Sequence, residues 1–170
     1  MMSLWDAVAG VAIALAATSC QRVQPEPYLR LDAPAPALAD APASRALLVT
    51  FWATWCSSCR QEVDQLQKLA ADAPPDLTVV VLSEDEGIKD VAAFFGGPPP
   101  PELHLRLDPQ WLVAHSLYVH QLPTSILVVD GRAIARFEGS RRWSDAPARA
   151  TLSRLIQGAA PARPNKPEVP

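Results

Sequence analysis

The chain has 170 residues, which is enough for one folded domain with an extension at each end. Hydrophobic residues make up 49% of it, so a core can form, and the formal net charge of -3 offers no electrostatic footprint for nucleic acid. The 18 prolines crowd into residues 25–42, 98–101 and 161–170, and these stretches are predicted to be linker, loop and tail.

Residues 1–20 have the features of an export signal. Ala7–Ala17 is apolar but too short to span a bilayer, as is typical of the central part of a signal peptide. Thr18 and Ser19 then precede Cys20, and small residues before a cysteine are typical of lipoprotein processing, in which Cys20 is lipidated and becomes the new N-terminus. Because no Lys or Arg precedes the apolar stretch, an ordinary cleaved signal and an uncleaved anchor remain open.

The Pro/Ala-rich residues 21–44 are predicted to be a linker. At ~3.1 Å per residue, such a linker reaches up to about 75 Å from a membrane. Tyr28–Asp32 alternates in polarity and could add a strand at the edge of the domain, although the neighbouring prolines count against it. The domain itself is predicted over residues 45–157 and a Pro-rich tail over 158–170.

The pattern of the domain predicts an α/β fold. The expected elements are a strand at Ala46–Trp52, a helix at Ser57–Ala71, a strand at Leu77–Leu82, a helix at Gly87–Phe95, a short strand at Leu103–Leu107, a helix from Asp108 and Pro109 to about Tyr118, strands at Ser125–Val129 and Ala133–Phe137, and a helix at Ser144–Gln157. The strand–helix–strand start implies parallel pairing, and the Asp130-Gly131 turn implies an antiparallel hairpin. We therefore expect a central mixed sheet with helices on both faces.

Cys56 and Cys59 form a CxxC pair where the first strand leads into the first helix. A helix N-terminus favours an anion, so the pKa of the Cys56 thiol is expected to be lowered and its nucleophilicity raised. A zinc knuckle uses the same spacing but needs two more ligands, and the three histidines of the chain show no such spacing. The context therefore favours a redox pair over a metal site or a purely structural disulfide.

The segment FWATWCSSCRQEV resembles the active-site segment of the TlpA/ResA-like thiol-disulfide oxidoreductases, a family of the thioredoxin superfamily. A second segment, LRLDPQWLVAHSLYVHQLPTSILVVDGRAIARFEG, resembles the later half of the same family, where a loop ending Leu-Pro-Thr leads into a strand hairpin. The resemblance extends from about Arg45 to about Ile156. It implies a thioredoxin-like fold and a redox-active disulfide with no other cofactor.

The resemblance also implies roles for individual residues. Cys56 is the attacking cysteine, and Cys59 resolves the mixed disulfide. Pro123 is expected to have a cis peptide bond and to face the CxxC, so that the backbone of Leu122 can bind an extended client. Trp55 is expected over the active site. The family's positions further suggest Glu86 as a shuttle for the proton of Cys59, although SEDEG can equally be a plain acidic loop.

The implied partners are exported client proteins with disulfides and a membrane thiol-disulfide electron donor. Cytochrome c maturation is the commonest role in the family. We expect a monomer on the periplasmic side of a bacterial membrane, held by a lipid anchor. The competing hypothesis is a Cu(I)-binding module in which Cys56 and Cys59 bind the metal with a distant histidine such as His120. Two tryptophans are expected to pack inside the domain, Trp52 in the core and Trp143 near the active-site face.

Overall fold

The computed structural model describes residues 27–35 and 41–159, so the predicted signal, Cys20 and most of the predicted tail lie outside the described residues. Its elements are β1 Leu29–Pro34, β2 Ala46–Trp52, α1 Ser57–Ala71, β3 Leu77–Ser83, α2 Ile88–Phe95, a 3₁₀ turn at Pro101–Leu103, β4 Arg106–Leu107, α3 Leu112–Ser116, β5 Thr124–Val129, β6 Arg132–Glu138 and α4 Ala146–Gly158. Among these helices, none combines the length and the apolar character needed to cross a bilayer.

One six-stranded sheet organises the domain, with the strand order β1-β6-β5-β2-β3-β4. β2 pairs in parallel with β3, and β3 with β4, whereas β5, β6 and β1 add antiparallel pairs on the other side of β2. The two parallel neighbours β2 and β3 end level with each other, because Trp52 pairs with Ser83. The loops that follow these two strands therefore leave the sheet side by side.

The helices cover both faces of the sheet, which confirms the predicted architecture. Successive side chains of a strand point to opposite faces, so Leu48 and Val49 of β2 enter different clusters. The Leu48 cluster contains the buried sides of α1 and α4, including Leu66 and Leu152. The Val49 cluster contains Ala114 of α3. Helix α1 is thus fixed along its length by the first cluster, and with it the position of its N-terminus.

The hairpin at Asp130 and Gly131 is present as predicted. Both residues have positive φ, 49° and 75°, which is the backbone that a two-residue turn between antiparallel strands requires. Asp130 also forms an ion pair with Arg45, whose Nε lies 3.4 Å from Asp130 Oδ2. The turn therefore sets the pairing of Val129 with Arg132, and the β5–β6 register shifts farther along, between Leu127 and Val128.

Three elements differ from the sequence-based expectations. The strand expected at Leu103–Leu107 is wrong in its extent, because β4 covers only Arg106–Leu107 and Leu103 belongs to the 3₁₀ turn. β1 forms in spite of its flanking prolines, as an exposed edge strand paired with β6 inside the range assigned to a linker. The helix expected from Pro109 to about Tyr118 is wrong in its extent, because α3 covers only Leu112–Ser116. The N-cap residue is Trp111 and not Asp108 as predicted, although the Asp108 carboxylate reaches past the intervening turn and accepts from the N–H groups of residues 112–114, at 2.9 to 3.0 Å.

Candidate active site

The two cysteines form a disulfide at the N-terminus of α1, with their Cα atoms 5.2 Å apart. Cys56 is the N-cap residue and has extended backbone, while Cys59 lies in the first turn. Cys59 is fully buried, at 0% exposed, and Cys56 is half-buried. A client can therefore reach Cys56 but not Cys59.

The surroundings of the Cys56 sulfur are suited to a thiolate. The backbone N–H of Cys59 donates to Cys56 Sγ at 3.3 Å, and the hydroxyl of Ser58 lies 3.4 Å from the same sulfur. Both groups belong to the first turn of α1. Together with the positive end of the helix dipole, they favour negative charge on Cys56.

Trp55 and the Leu122–Pro123 segment were predicted to bind the client. The Trp55 side chain is 60% exposed, immediately before Cys56. The Leu122–Pro123 peptide bond is cis, as the resemblance implied. Pro123 is buried, and the half-buried Leu122 packs against the same core cluster as Cys56. Leu122 also packs against the cluster on the other face of the sheet, so it lies where the two clusters meet.

Glu62 is a site residue that the sequence did not reveal. It lies one turn after Cys59 on the inner side of α1 and is only 1% exposed. Its Oε1 accepts hydrogen bonds from the indole N–H of Trp143, at 2.6 Å, and from the backbone N–H of Arg141, at 3.0 Å. Its Oε2 is buried and has no hydrogen-bond partner.

Burial raises the pKa of Glu62 to about 7, although the hydrogen bonds from Trp143 and Arg141 and the charge of Arg141 oppose that rise. A carboxyl with this pKa exchanges its proton at neutral pH. Trp143, expected near the active-site face, is fully buried and holds Glu62 in place. It also packs edge-on against Phe137, with ring centroids 5.1 Å apart.

Comparisons with known proteins agree with this geometry. The thioredoxin family profile matches residues 37–108. The chain contains a thioredoxin-family domain. It is 29% identical over 98 residues to the thioredoxin of Mycolicibacterium smegmatis, covering 58% of this chain and 69% of that protein. It is 32% identical over 125 residues to the thiol:disulfide interchange protein CycY of Rhizobium leguminosarum bv. viciae, covering 72% of this chain and 66% of that protein.

A solved structure from Chlorobium tepidum, assigned as a thiol:disulfide interchange protein DsbE, has the same fold. The two superpose with a TM-score of 0.60 at 22% identity, covering 78% of this chain and 96% of that chain. The thioredoxin-family domain, the Cys56–Cys59 disulfide and the relatives named thiol:disulfide interchange proteins together support thiol-disulfide oxidoreductase activity.

The acidic loop after β3 of the thioredoxin-family domain has two buried members and one exposed member. Glu86, the residue predicted as a proton shuttle, is exposed. Glu84 is only 4% exposed, and neither of its carboxyl oxygens has a hydrogen-bond partner. Burial, and then the carboxylates of Asp108 and Asp85, raise the pKa of Glu84 to about 8. Glu84 therefore carries a proton at neutral pH.

Within residues 27–35 and 41–159, no group of three or more His, Cys, Asp or Glu side chains is arranged to hold a metal ion. His120, the histidine considered as a copper ligand, is exposed and has the ring of His115 at a centroid distance of 6.5 Å.

Proposed function

We propose that this protein is an exported, TlpA/ResA-like oxidoreductase that reduces or exchanges disulfides on client proteins outside the cytoplasm. The observation that carries the proposal is the unequal burial of the two cysteines: Cys56 reaches the surface beside the exposed Trp55, and Cys59 is enclosed behind it. That arrangement suits a nucleophile and a resolving thiol. The relatives named thiol:disulfide interchange proteins support the same reaction class.

The reaction transfers two electrons from the dithiol to the client. The Cys56 thiolate attacks one sulfur of the client disulfide, and the other client sulfur leaves as a thiolate and takes up a proton. The Cys59 thiol then loses its proton and attacks Cys56 Sγ. This step breaks the mixed disulfide, releases the second client thiolate and forms the Cys56–Cys59 disulfide seen in the structure. A dithiol donor at the membrane returns the pair to the reduced state.

The client is proposed to bind across Trp55 and the Leu122–Pro123 segment. An extended polypeptide can hydrogen-bond to the backbone of Leu122 while its apolar side chains pack on the Trp55 ring. Such contacts align the client disulfide with the Cys56 sulfur for in-line attack. Apocytochromes c, whose disulfide is reduced before haem attachment, are the clients that the family resemblance suggests.

Insulin reduction tests the proposed reaction. With a small dithiol as the electron donor, the purified protein should accelerate the precipitation of reduced insulin above the rate of the donor alone. Each turnover should also re-form the Cys56–Cys59 disulfide. When the electron donor is limiting, the fraction of protein in the oxidised form should therefore rise, which gives a second readout. Insulin precipitation at the rate of the donor alone would contradict the proposal.

Glu62 is proposed to accept the proton of Cys59 in the second step. It is buried on the same side of α1 one turn away, has one carboxyl oxygen without a partner, and titrates at neutral pH. Glu86, the candidate chosen from the sequence, remains a prediction and is the natural rival, because it lies in the loop after β3, at the end of the sheet where β2 leads into Cys56.

The second step can be measured alone with an aromatic disulfide reagent that releases one coloured thiol on attack by Cys56 and another on attack by Cys59. The second release should slow in the native protein as the pH falls below about 7, where Glu62 holds a proton. Glu62→Gln should slow the second release by about 10²-fold at alkaline pH and should remove its pH dependence near pH 7, because the base is lost. Slowing in Glu86→Gln but not in Glu62→Gln would assign the proton transfer to Glu86.

Export and anchoring are proposed from residues outside the described ranges. If Cys20 is lipidated, the native protein should partition into the detergent phase, and Cys20→Ala should accumulate as an unprocessed precursor. Cys59→Ser is the control, because it also removes a cysteine but one inside the domain; its precursor should be cleaved normally. A soluble, fully cleaved Cys20→Ala product would support an ordinary signal peptide.

A further inference from the structure

We propose that Asp85 is a positioning residue for the nucleophile, acting through Thr54. This inference deepens the proposed function and rests on the role of Cys56 as the attacking thiol. Asp85 lies outside the CxxC helix, in the loop that follows β3, and its side chain is only 2% exposed. Its carboxylate accepts hydrogen bonds from Thr54 and Ser83 and not from either cysteine, so its effect is exerted on the backbone that leads into Cys56.

The parallel pairing of β2 and β3 places Asp85 beside that backbone. Trp52 and Ser83 are paired at the ends of the two strands, so the loops that start there run next to each other. The first loop is residues 53–56, which connect β2 to the start of α1. The second contains Glu84 and Asp85, and Glu84 N–H donates to the carbonyl of Trp52 at 2.9 Å.

Both oxygens of the Asp85 carboxylate are engaged by the first loop. The backbone N–H of Thr54 donates to Oδ2 at 3.0 Å, and the Thr54 hydroxyl donates to Oδ1 at 2.5 Å. A third donor, the hydroxyl of Ser83, reaches Oδ2 at 2.6 Å and holds the carboxylate itself in place. Hydrogen bonds to a buried carboxylate are among the stronger ones in proteins. Thr54 is therefore fixed from the side of the sheet.

Thr54 is also fixed from the side of the helix, since its carbonyl accepts from the Arg60 guanidinium at 3.3 Å. In the sequence, Cys56 lies between Thr54 and Arg60. Its N–H donates to the carbonyl of Ala53, and its own carbonyl accepts from the N–H of Arg60. The Asp85–Thr54 pair thus completes a frame that holds the Cys56 sulfur over the first turn of α1, where the Cys59 N–H reaches it at 3.3 Å.

The consequence is that loosening this pair should lower the fraction of Cys56 present as thiolate. In Asp85→Ala the loop of residues 53–56 loses its two hydrogen bonds to the carboxylate, and the reduced sulfur can leave the helix N-terminus. Because a charge at a helix terminus is worth 0.3–1 kcal/mol, the thiolate fraction at neutral pH should fall about two- to fivefold. Asp85→Asn is the conservative rescue: its oxygen can still accept at the Oδ2 position, and its NH2 group can donate to the Thr54 hydroxyl.

The experiment measures alkylation of Cys56 by iodoacetamide in the reduced protein from about pH 5 to pH 8, with peptide mass spectrometry to separate the two cysteines. Asp85→Ala should raise the apparent pKa of Cys56 and slow its alkylation at neutral pH about two- to fivefold, and Asp85→Asn should restore both. Thr54→Val should have a smaller effect, since it keeps the backbone donor, and it should add nothing to Asp85→Ala. The exposed Asp90→Ala should match the native protein.

Two outcomes would overturn the proposal. If Asp85→Ala lowers the melting temperature but leaves the pH profile of Cys56 unchanged, Asp85 only stabilises the fold. If Asp85→Ala and Asp85→Asn both lower the pKa of Cys56, the carboxylate acts through its charge and not through position. Alkylation needs no client, so these results are independent of insulin reduction. Preferential labelling of Cys59 would instead contradict the proposed function itself.

Discussion

Cys59→Ser should accumulate a stable mixed disulfide with its client, whereas Cys56→Ser should form none. Cys56 is the half-exposed cysteine that a client can reach, and the buried Cys59 supplies the only described thiol that can release it. Without Cys59 the reaction stops after the first exchange. Turnover of insulin should fall to the rate of the electron donor alone in both variants.

The mixed disulfide can be detected by non-reducing electrophoresis after incubation with an oxidised client and rapid acid quenching. Ser57→Ala is a matched control, because Ser57 is exposed between the two cysteines and its loss should leave trapping and turnover unchanged. Trapping by Cys56→Ser but not by Cys59→Ser would reverse the assigned roles.

Glu62 should make the oxidised protein less stable as the pH rises. Its pKa is about 7 when folded and 4.5 in the reference state, so below pH 4.5 the carboxyl is protonated in both states and causes no loss. Between these values the folded state binds more protons than the unfolded state, and the free energy of unfolding decreases with pH. At ~1.4 kcal/mol per pH unit, the full loss is about 3 kcal/mol, complete just above pH 7.

Urea unfolding of the oxidised protein at a series of pH values measures this effect. Glu62→Gln should flatten the decline by about 3 kcal/mol between pH 4.5 and pH 8, since the amide does not titrate. Glu84, with its pKa raised to about 8, contributes a decline of the same sign that should remain in this variant. The exposed Asp64→Asn on the same helix is the control. An unchanged pH slope in Glu62→Gln would show that the pKa of Glu62 is not raised by folding.

Features encoded by neighbouring residues were predictable from the sequence. The CxxC at a strand-to-helix junction, the Asp130-Gly131 turn and the spacing of Val63, Leu66 and Leu69 each depend on a few adjacent positions, and the structure confirms these local elements. The sheet followed from them, because the order of strands and helices leaves few ways to pair the strands.

The features that the sequence did not predict depend on contacts between residues distant in the chain. A glutamate on a helix normally faces water, and the Trp143 indole that accompanies Glu62 into the core lies 81 positions away. Asp85 and Thr54 are 31 positions apart. The acidic segment at residues 83–87 therefore does not indicate by itself which of its carboxylates is buried. The length of α3 was wrong because Asp108 reaches beyond an intervening turn, in which Trp111 has a φ of 55°.

The direction of β1 determines which end of the domain the preceding chain, with the proposed lipid anchor, joins. β1 pairs antiparallel with β6, and its first residue, Leu29, is opposite Arg136, near the end of β6 that adjoins Pro123. The chain therefore enters the sheet at the end that carries the disulfide. In the proposed lipid-anchored form, only the residues between Cys20 and Leu29 set the reach, about 30 Å when fully extended. The end of the domain that carries the CxxC would then stay within that distance of the bilayer, where a membrane-embedded donor can reach it.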